Sequence, residues 1–170
     1  MADRLAHRGP DGGGTARPGD TSLLIHRRLA VIDLPGGAQP MVSAARTLWI
    51  AANGEIYNHR QLRTELERQG AVFATQSDTE VILHLYEREG AESFRKLIGM
   101  FAFALWDEPA QKLLLVRDAF GMKPLCYAVL PGRLAFASEA KALLAHPDVP
   151  RDVDAQAVHD SLNLRFVPSP

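Results

Sequence analysis

The sequence has 170 residues, 46% of them apolar and 23% charged, with a formal net charge of -1. That length suits one domain whose core needs neither cross-links nor metal. Its near-neutral charge, with Lys and Arg concentrated on no single element, excludes a dedicated nucleic-acid binder. The only cysteine, Cys126, excludes a disulfide framework and a thiolate zinc site. The six histidines show neither an HxH nor an HExxH spacing, so no metal site is expected. No apolar run nears the ~20 residues of a membrane helix. The first residues carry no apolar core of a secretory signal, and a cytoplasmic location is expected.

In chain order, residues 7–14 (His-Arg-Gly-Pro-Asp-Gly-Gly-Gly) read as a loop, being dense in residues that interrupt regular structure. Strands are predicted at 22–25 and 29–32, a turn at 35–37, and a strand at 47–52 running into Asn53-Gly54. A helix is predicted over 59–69, with Leu62 and Leu66 on one face and Gly70 as its stop. Ser77-Asp78-Thr79-Glu80 has the S-x-x-E order of a capping box. The helix it opens carries an apolar stripe of Val81, Ile82, Leu85 and Tyr86, and Gly90 ends it. Strands follow at 100–106, 112–117, 125–130 and 134–137, then helices at 138–145 and 155–164 with a linker at 146–150 between them. Clustered strands of this kind predict layered antiparallel sheets in an α+β fold, not repeated βαβ units.

Four segments could carry chemistry. Asn53-Gly54-Glu55 reads either as a hairpin turn, since Asn-Gly adopts positive φ, or as an oxyanion hole made of a carboxamide and an adjacent N–H. Asp78 either complements the helix dipole or faces a pocket and binds an amino group. Arg28, bordering apolar residues, is either an exposed strand arginine or a two-pronged clamp for a carboxylate. Residues 117–125 read as a tight turn, with Arg117 and Asp118 at the strand end. No phosphate-loop or dinucleotide fingerprint is present.

The order and wording of the motifs carry a resemblance. His-Arg-Gly-Pro-Asp-Gly (7–12), His-x-Arg-Leu-Ala-Val-Ile-Asp-Leu (26–34) and Gln-Pro-Met (39–41) come first. Asn-Gly-Glu-Ile-Tyr-Asn (53–58), Ser-Asp-Thr-Glu (77–80) and Gly-Met-Phe-Ala-Phe-Ala-Leu-Trp-Asp (99–107) follow. Arg-Asp-x-Phe-Gly-x-Lys-Pro-Leu (117–125) and Phe-Ala-Ser-Glu-x-Lys-Ala-Leu (136–143) close the series. Together these resemble the class II glutamine amidotransferase domain of asparagine synthetase B-type enzymes over nearly the whole chain.

The resemblance implies an N-terminal-nucleophile hydrolase fold, an αββα sandwich of two antiparallel sheets between helices. It implies L-glutamine as substrate, with Asn53 and Gly54 as the oxyanion hole, Arg28 on the α-carboxylate, Asp78 on the α-amino group and Glu55 lining the pocket. Residues 1–145 would be the amidotransferase domain, and 146–170 a linker into an ATP-dependent synthetase domain that amidates aspartate to asparagine. No cofactor is expected in this chain; ATP and magnesium belong to that further domain. A homodimer is left open, and neither nucleic acid nor membrane is an expected partner.

The family begins Met-Cys-Gly and uses the exposed cysteine as nucleophile, whereas this sequence begins Met1-Ala2-Asp3. The expectation is a chain lacking the first strand and the nucleophile, inactive by itself, with Cys126 a small packing residue rather than a substitute. Two alternatives stand beside the glutaminase reading. One is a non-catalytic pseudo-amidotransferase that binds glutamine or a partner, and the other is the amidotransferase domain of a related synthetase with another acceptor.

Overall fold

The computed structural model describes residues 1–33 and 36–168, so the predicted turn at 35–37 falls partly outside the described residues. A 3-10 helix (Ala2–Arg8) leads into β1 (Gly12–Ala16) and β2 (Leu24–Arg28), an antiparallel pair in which Gly12 faces Arg28. Next come β3 (Met41–Val42) and β4 (Leu48–Ile56), followed by α1 (His59–Arg68) and α2 (Glu80–Glu89). After a 3-10 helix (Gly90–Lys96), β5 (Gly99–Asp107), β6 (Lys112–Arg117), β7 (Cys126–Leu130) and β8 (Arg133–Ala137) complete the strands. The chain closes with α3 (Ala140–Leu143) and α4 (Ala155–Leu164).

The strands are antiparallel, as expected, and among the described residues they form three sheets, β1-β2, β3-β4-β5-β6 and β7-β8, where two were expected. In the central sheet the residues from Phe101 to Leu105 of β5 are all buried. α1 and α2 place Leu62, Leu66, Val81, Ile82 and Leu85 in one core with Ile50, Phe103 and Leu105. The helical stripes predicted from spacing thus do face the sheet, and removing this apolar area from water is the main favourable term.

Several local expectations are corrected. Residues 12–14, expected as loop, open β1, which needs Gly14: a Cβ there would lie 2.1 Å from Gln39 O. The strand predicted at 22–25 begins later and runs to Arg28. The one predicted at 29–32 does not form, because the chain leaves the sheet there; the Ala30 N–H goes to Asp11 Oδ2 at 2.9 Å instead of a ladder. Asn53-Gly54 is not a turn but lies inside β4, opposite Ala102 and Phe101.

The capping box does not close either. Ser77 Oγ accepts from Thr79 N at 3.2 Å, while Glu80 reaches back to Ala74 N (2.7 Å), Thr75 N (2.8 Å) and Thr75 Oγ (2.6 Å). The turn before the helix has its own part-buried donors, and a carboxylate can satisfy several of them at once.

Candidate functional site

β4 has an unusual outer edge. β3 pairs only with Trp49 and Ile50, so beyond them side chains take over the hydrogen bonding. Gln39 Oε1 accepts the Ala52 N–H at 2.6 Å, and Asp78 Oδ2 accepts the Ile56 N–H at 2.7 Å. His26 Nε2, from β2, donates to the Ala52 carbonyl at 3.0 Å. The two-residue period of a strand turns the Gly54 N–H to the same edge, between the Gln39 and Asp78 anchors.

Gly54 is required by its setting. Its φ is +145°, and a Cβ would lie 2.0 Å from Met100 O and 2.6 Å from Phe101 Cα. Only glycine lets β4 and β5 approach this closely. Beside it, the Asn53 carboxamide nitrogen is buried with no hydrogen-bond partner among the described residues. Such a donor is rare in a folded interior.

The edge opens onto a cleft of about 520 Å³. Arg28, Asn53, Gly54, Glu55 and Asp78, the five residues singled out from sequence, all line it, together with His26, Gln39 and Lys123. Arg28 Nη2 donates to Asp33 O at 2.7 Å. The Asp33 carboxylate in turn accepts the Gln76 N–H at 2.7 Å, tying the loop after β2 to the turn that carries Asp78. Asp78 is buried, and its Oδ1 makes no hydrogen bond among the described residues. Burial, reinforced by the Asp78 charge and opposed by His59 and Lys123, raises the Glu55 carboxyl above its ordinary range.

Asp118 shapes the rim near Lys123. It accepts four backbone N–H groups, from Phe101, Phe120, Met122 and Lys123. Desolvation pushes its pKa up, but these bonds outweigh it and the pKa is lowered. Arg117 grips the same turn through Lys123 O and Gly121 O, each at 2.6 Å, so residues 117–123 form the tight turn expected.

A second, mainly apolar cavity of about 350 Å³ adjoins the first and shares His26 and Asn53 with it. Cys126 belongs to neither lining; it packs beside Ala137, Ala142 and Leu143. Among the described residues, no group of three His, Cys, Asp or Glu is placed to hold a metal, and no helix is long and apolar enough to cross a membrane.

Comparison with known proteins gives this geometry its relatives. The family model described as the glutamine amidotransferase domain matches residues 1–170. This chain belongs to that family.

The amidotransferase domain is 42% identical, over all of its length, to 27% of asparagine synthetase [glutamine-hydrolyzing] 1 of Bacillus subtilis. It is 45% identical to asparagine synthetase [glutamine-hydrolyzing] 3 of Arabidopsis thaliana, over 84% of this chain and 24% of that protein. It thus spans about a quarter of the curated relatives it matches, and corresponds to their glutamine amidotransferase domain. Among solved structures, the glutamine phosphoribosylpyrophosphate amidotransferase from B. subtilis, complexed with ADP and GMP, superposes with a TM-score of 0.68 at 28% identity. That match covers 83% of this chain and 38% of that one, and its fold is that of the N-terminal-nucleophile hydrolases.

Sequence reasoning missed two cleft residues of this amidotransferase domain, His26 and Gln39. Both stand at the head of motifs already noticed, His26-x-Arg28 and Gln39-Pro40-Met41. What was invisible is that they replace a strand along β4.

Proposed function

We propose that the cleft binds L-glutamine by both ends and polarises its side-chain amide for nucleophilic attack. The observation that carries this reading is the buried, unpartnered Asn53 Nδ2 beside the outward Gly54 N–H, inside a cleft that also holds Arg28 and Asp78. Arg28 holds the α-carboxylate and Asp78, through Oδ1, the α-ammonium. When a thiolate adds to the amide carbon, the C=O electron pair moves onto oxygen, and Asn53 Nδ2 and Gly54 N–H stabilise that charge. Collapse re-forms the C=O, breaks the C–N bond and expels the nitrogen as ammonia, which carries away the proton that the thiol gave up. Water then releases glutamate from the thioester. The residues of this chain recognise and polarise the amide, whereas Cys126, outside the cleft and in an apolar cluster, is a packing residue.

The ammonia serves an ATP- and magnesium-dependent synthetase domain that amidates aspartate. The names of the relatives support that context, as does the share of their length that this chain spans. Residues 1–145 form the amidotransferase domain and 146–170 lead out of it. α4 supports this division because it has no buried residue and leaves Leu162 79% exposed.

Calorimetric titration of L-glutamine into the purified 170-residue chain tests the binding reading. Saturable binding that Asp78→Ala weakens at least about tenfold is expected, the loss of one charge-assisted contact. No binding to the parent chain overturns it. Ammonia release that depends on Cys126 would overturn the packing role of that residue.

A further inference from the structure

Among the described residues two buried side-chain polar atoms lack a hydrogen-bond partner, Asn53 Nδ2 and His26 Nδ1. Both residues line the same cleft, and His26 grips the carbonyl of Ala52, the residue immediately before Asn53. The two atoms are chemical opposites. Asn53 Nδ2 can only donate. His26 Nδ1 is set as an acceptor by the other ring nitrogen: the Ala52 carbonyl can only accept, so the proton sits on Nε2 and Nδ1 presents its lone pair. The ring also stays neutral. Burial above all, helped by the Arg28 charge and opposed by the Ala52 hydrogen bond, holds its pKa below the ordinary histidine range.

A ligand in this cleft that satisfies both atoms must carry an acceptor as well as a donor. A primary carboxamide does, with its oxygen for Asn53 and its NH₂ for His26. A carboxylate satisfies Asn53 but has no hydrogen for Nδ1 and sets lone pair against lone pair. A site built to meet a donor rejects the analogue that lacks it far better than an apolar pocket can, because the site's own polar atom is left unpaired.

We propose that His26 is a specificity-determining residue: its Nδ1 accepts a hydrogen bond from the amide N–H of bound glutamine and thereby selects glutamine over glutamate. This rests on the glutamine reading of the cleft. It also favours product release, since the product carboxylate sets its own lone pair against Nδ1 where the amide N–H had donated.

Calorimetry on the full chain at neutral pH, with L-glutamine and L-glutamate as separate titrants, tests the proposal. The parent should prefer glutamine, and His26→Ala should lower that preference by about tenfold or more, with glutamate affinity changed far less. Asp78→Ala should weaken both ligands alike. An unchanged preference in His26→Ala, or equal loss of both ligands, overturns the role of His26. Equal binding of both by the parent also overturns it while the cleft reading stands, and binding of neither overturns both readings.

Because His26→Ala also removes the Ala52 bond, nitrogen NMR of the histidine-labelled parent provides a second readout. The Nδ1 resonance of the Nε2-protonated ring should shift with L-glutamine and not with L-glutamate. No shift with saturating glutamine overturns the proposal.

Discussion

Asp78 Oδ2 accepts the backbone N–H of Ile56 at 2.7 Å, joining the turn before α2 to the last residue of β4. One carboxylate therefore anchors the edge of the sheet while Asp78 also lines the cleft. The two duties separate by substitution. Asp78→Ala leaves the Ile56 N–H without an acceptor and should cost about 1–3 kcal/mol in urea denaturation. Asp78→Asn keeps an acceptor for Ile56 but loses the negative charge, so it should retain most of the stability and still lose glutamine affinity. If both variants bind glutamine as the parent does, Asp78 is an anchor only.

Gly54→Ala should be among the most damaging single changes, about 3 kcal/mol or more. The new Cβ would lie 2.0 Å from Met100 O at a φ of +145°, a backbone position that other residues avoid. Both obstacles are backbone, so no side-chain rotation relieves them. A urea midpoint close to that of the parent would show that β4 and β5 can separate at this point.

Glu80 makes the domain sensitive to acid. Desolvation raises its pKa, but His84, Thr75 and the N–H groups of Ala74 and Thr75 lower it further, to about 2. The folded pKa lies below the ordinary 4.5, so the stabilisation is complete above that value and is lost as pH falls toward 2. Its upper limit is about 3.5 kcal/mol, taking ~1.4 kcal/mol per pKa unit. Glu80→Gln should therefore be clearly less stable than the parent at pH 7, and the difference should shrink progressively in denaturation curves taken at lower pH.

Glu55 behaves in the opposite sense. Burial, and then the Asp78 charge, raise its pKa, so ionisation costs more in the folded chain than in the unfolded one. Stability from this group is full at low pH and is lost as pH rises through the raised folded pKa. Glu55→Gln should raise the thermal midpoint at pH 7 and have little effect at pH 3, where the parent side chain is protonated in both states. A lowered midpoint at pH 7 would mean that the ionised carboxylate makes a stabilising contact.

Legibility in the sequence followed how local each determinant is. The stripe of Leu62 and Leu66, and that of Val81, Ile82, Leu85 and Tyr86, follows from the helical period alone; all are buried except the half-buried Tyr86, while Leu83, outside the stripe, is buried as well. β6 and α4 were placed residue for residue. β1 was not, because Gly12, Gly13 and Gly14 look like a loop until β2 and the Gln39 carbonyl are brought against them. Asn53-Gly54 looks like a turn for the same reason, since nothing in the dipeptide reveals Phe101 across the ladder.

By itself the sequence determined the helical stripes, the strand clusters that make the fold α+β, and the motif series that reaches the family. It also supplied the names of five residues in the cleft. Only the tertiary structure decided that these five converge, that Asn53 and Gly54 lie within a strand, and that His26 and Gln39 stand where a neighbouring strand would. The physical reason is that hydrophobic periodicity and turn preference are written over a few consecutive residues. The partner of a single N–H or lone pair is set by segments dozens of positions apart, as Ile56 is by Asp78 and Ala52 by His26.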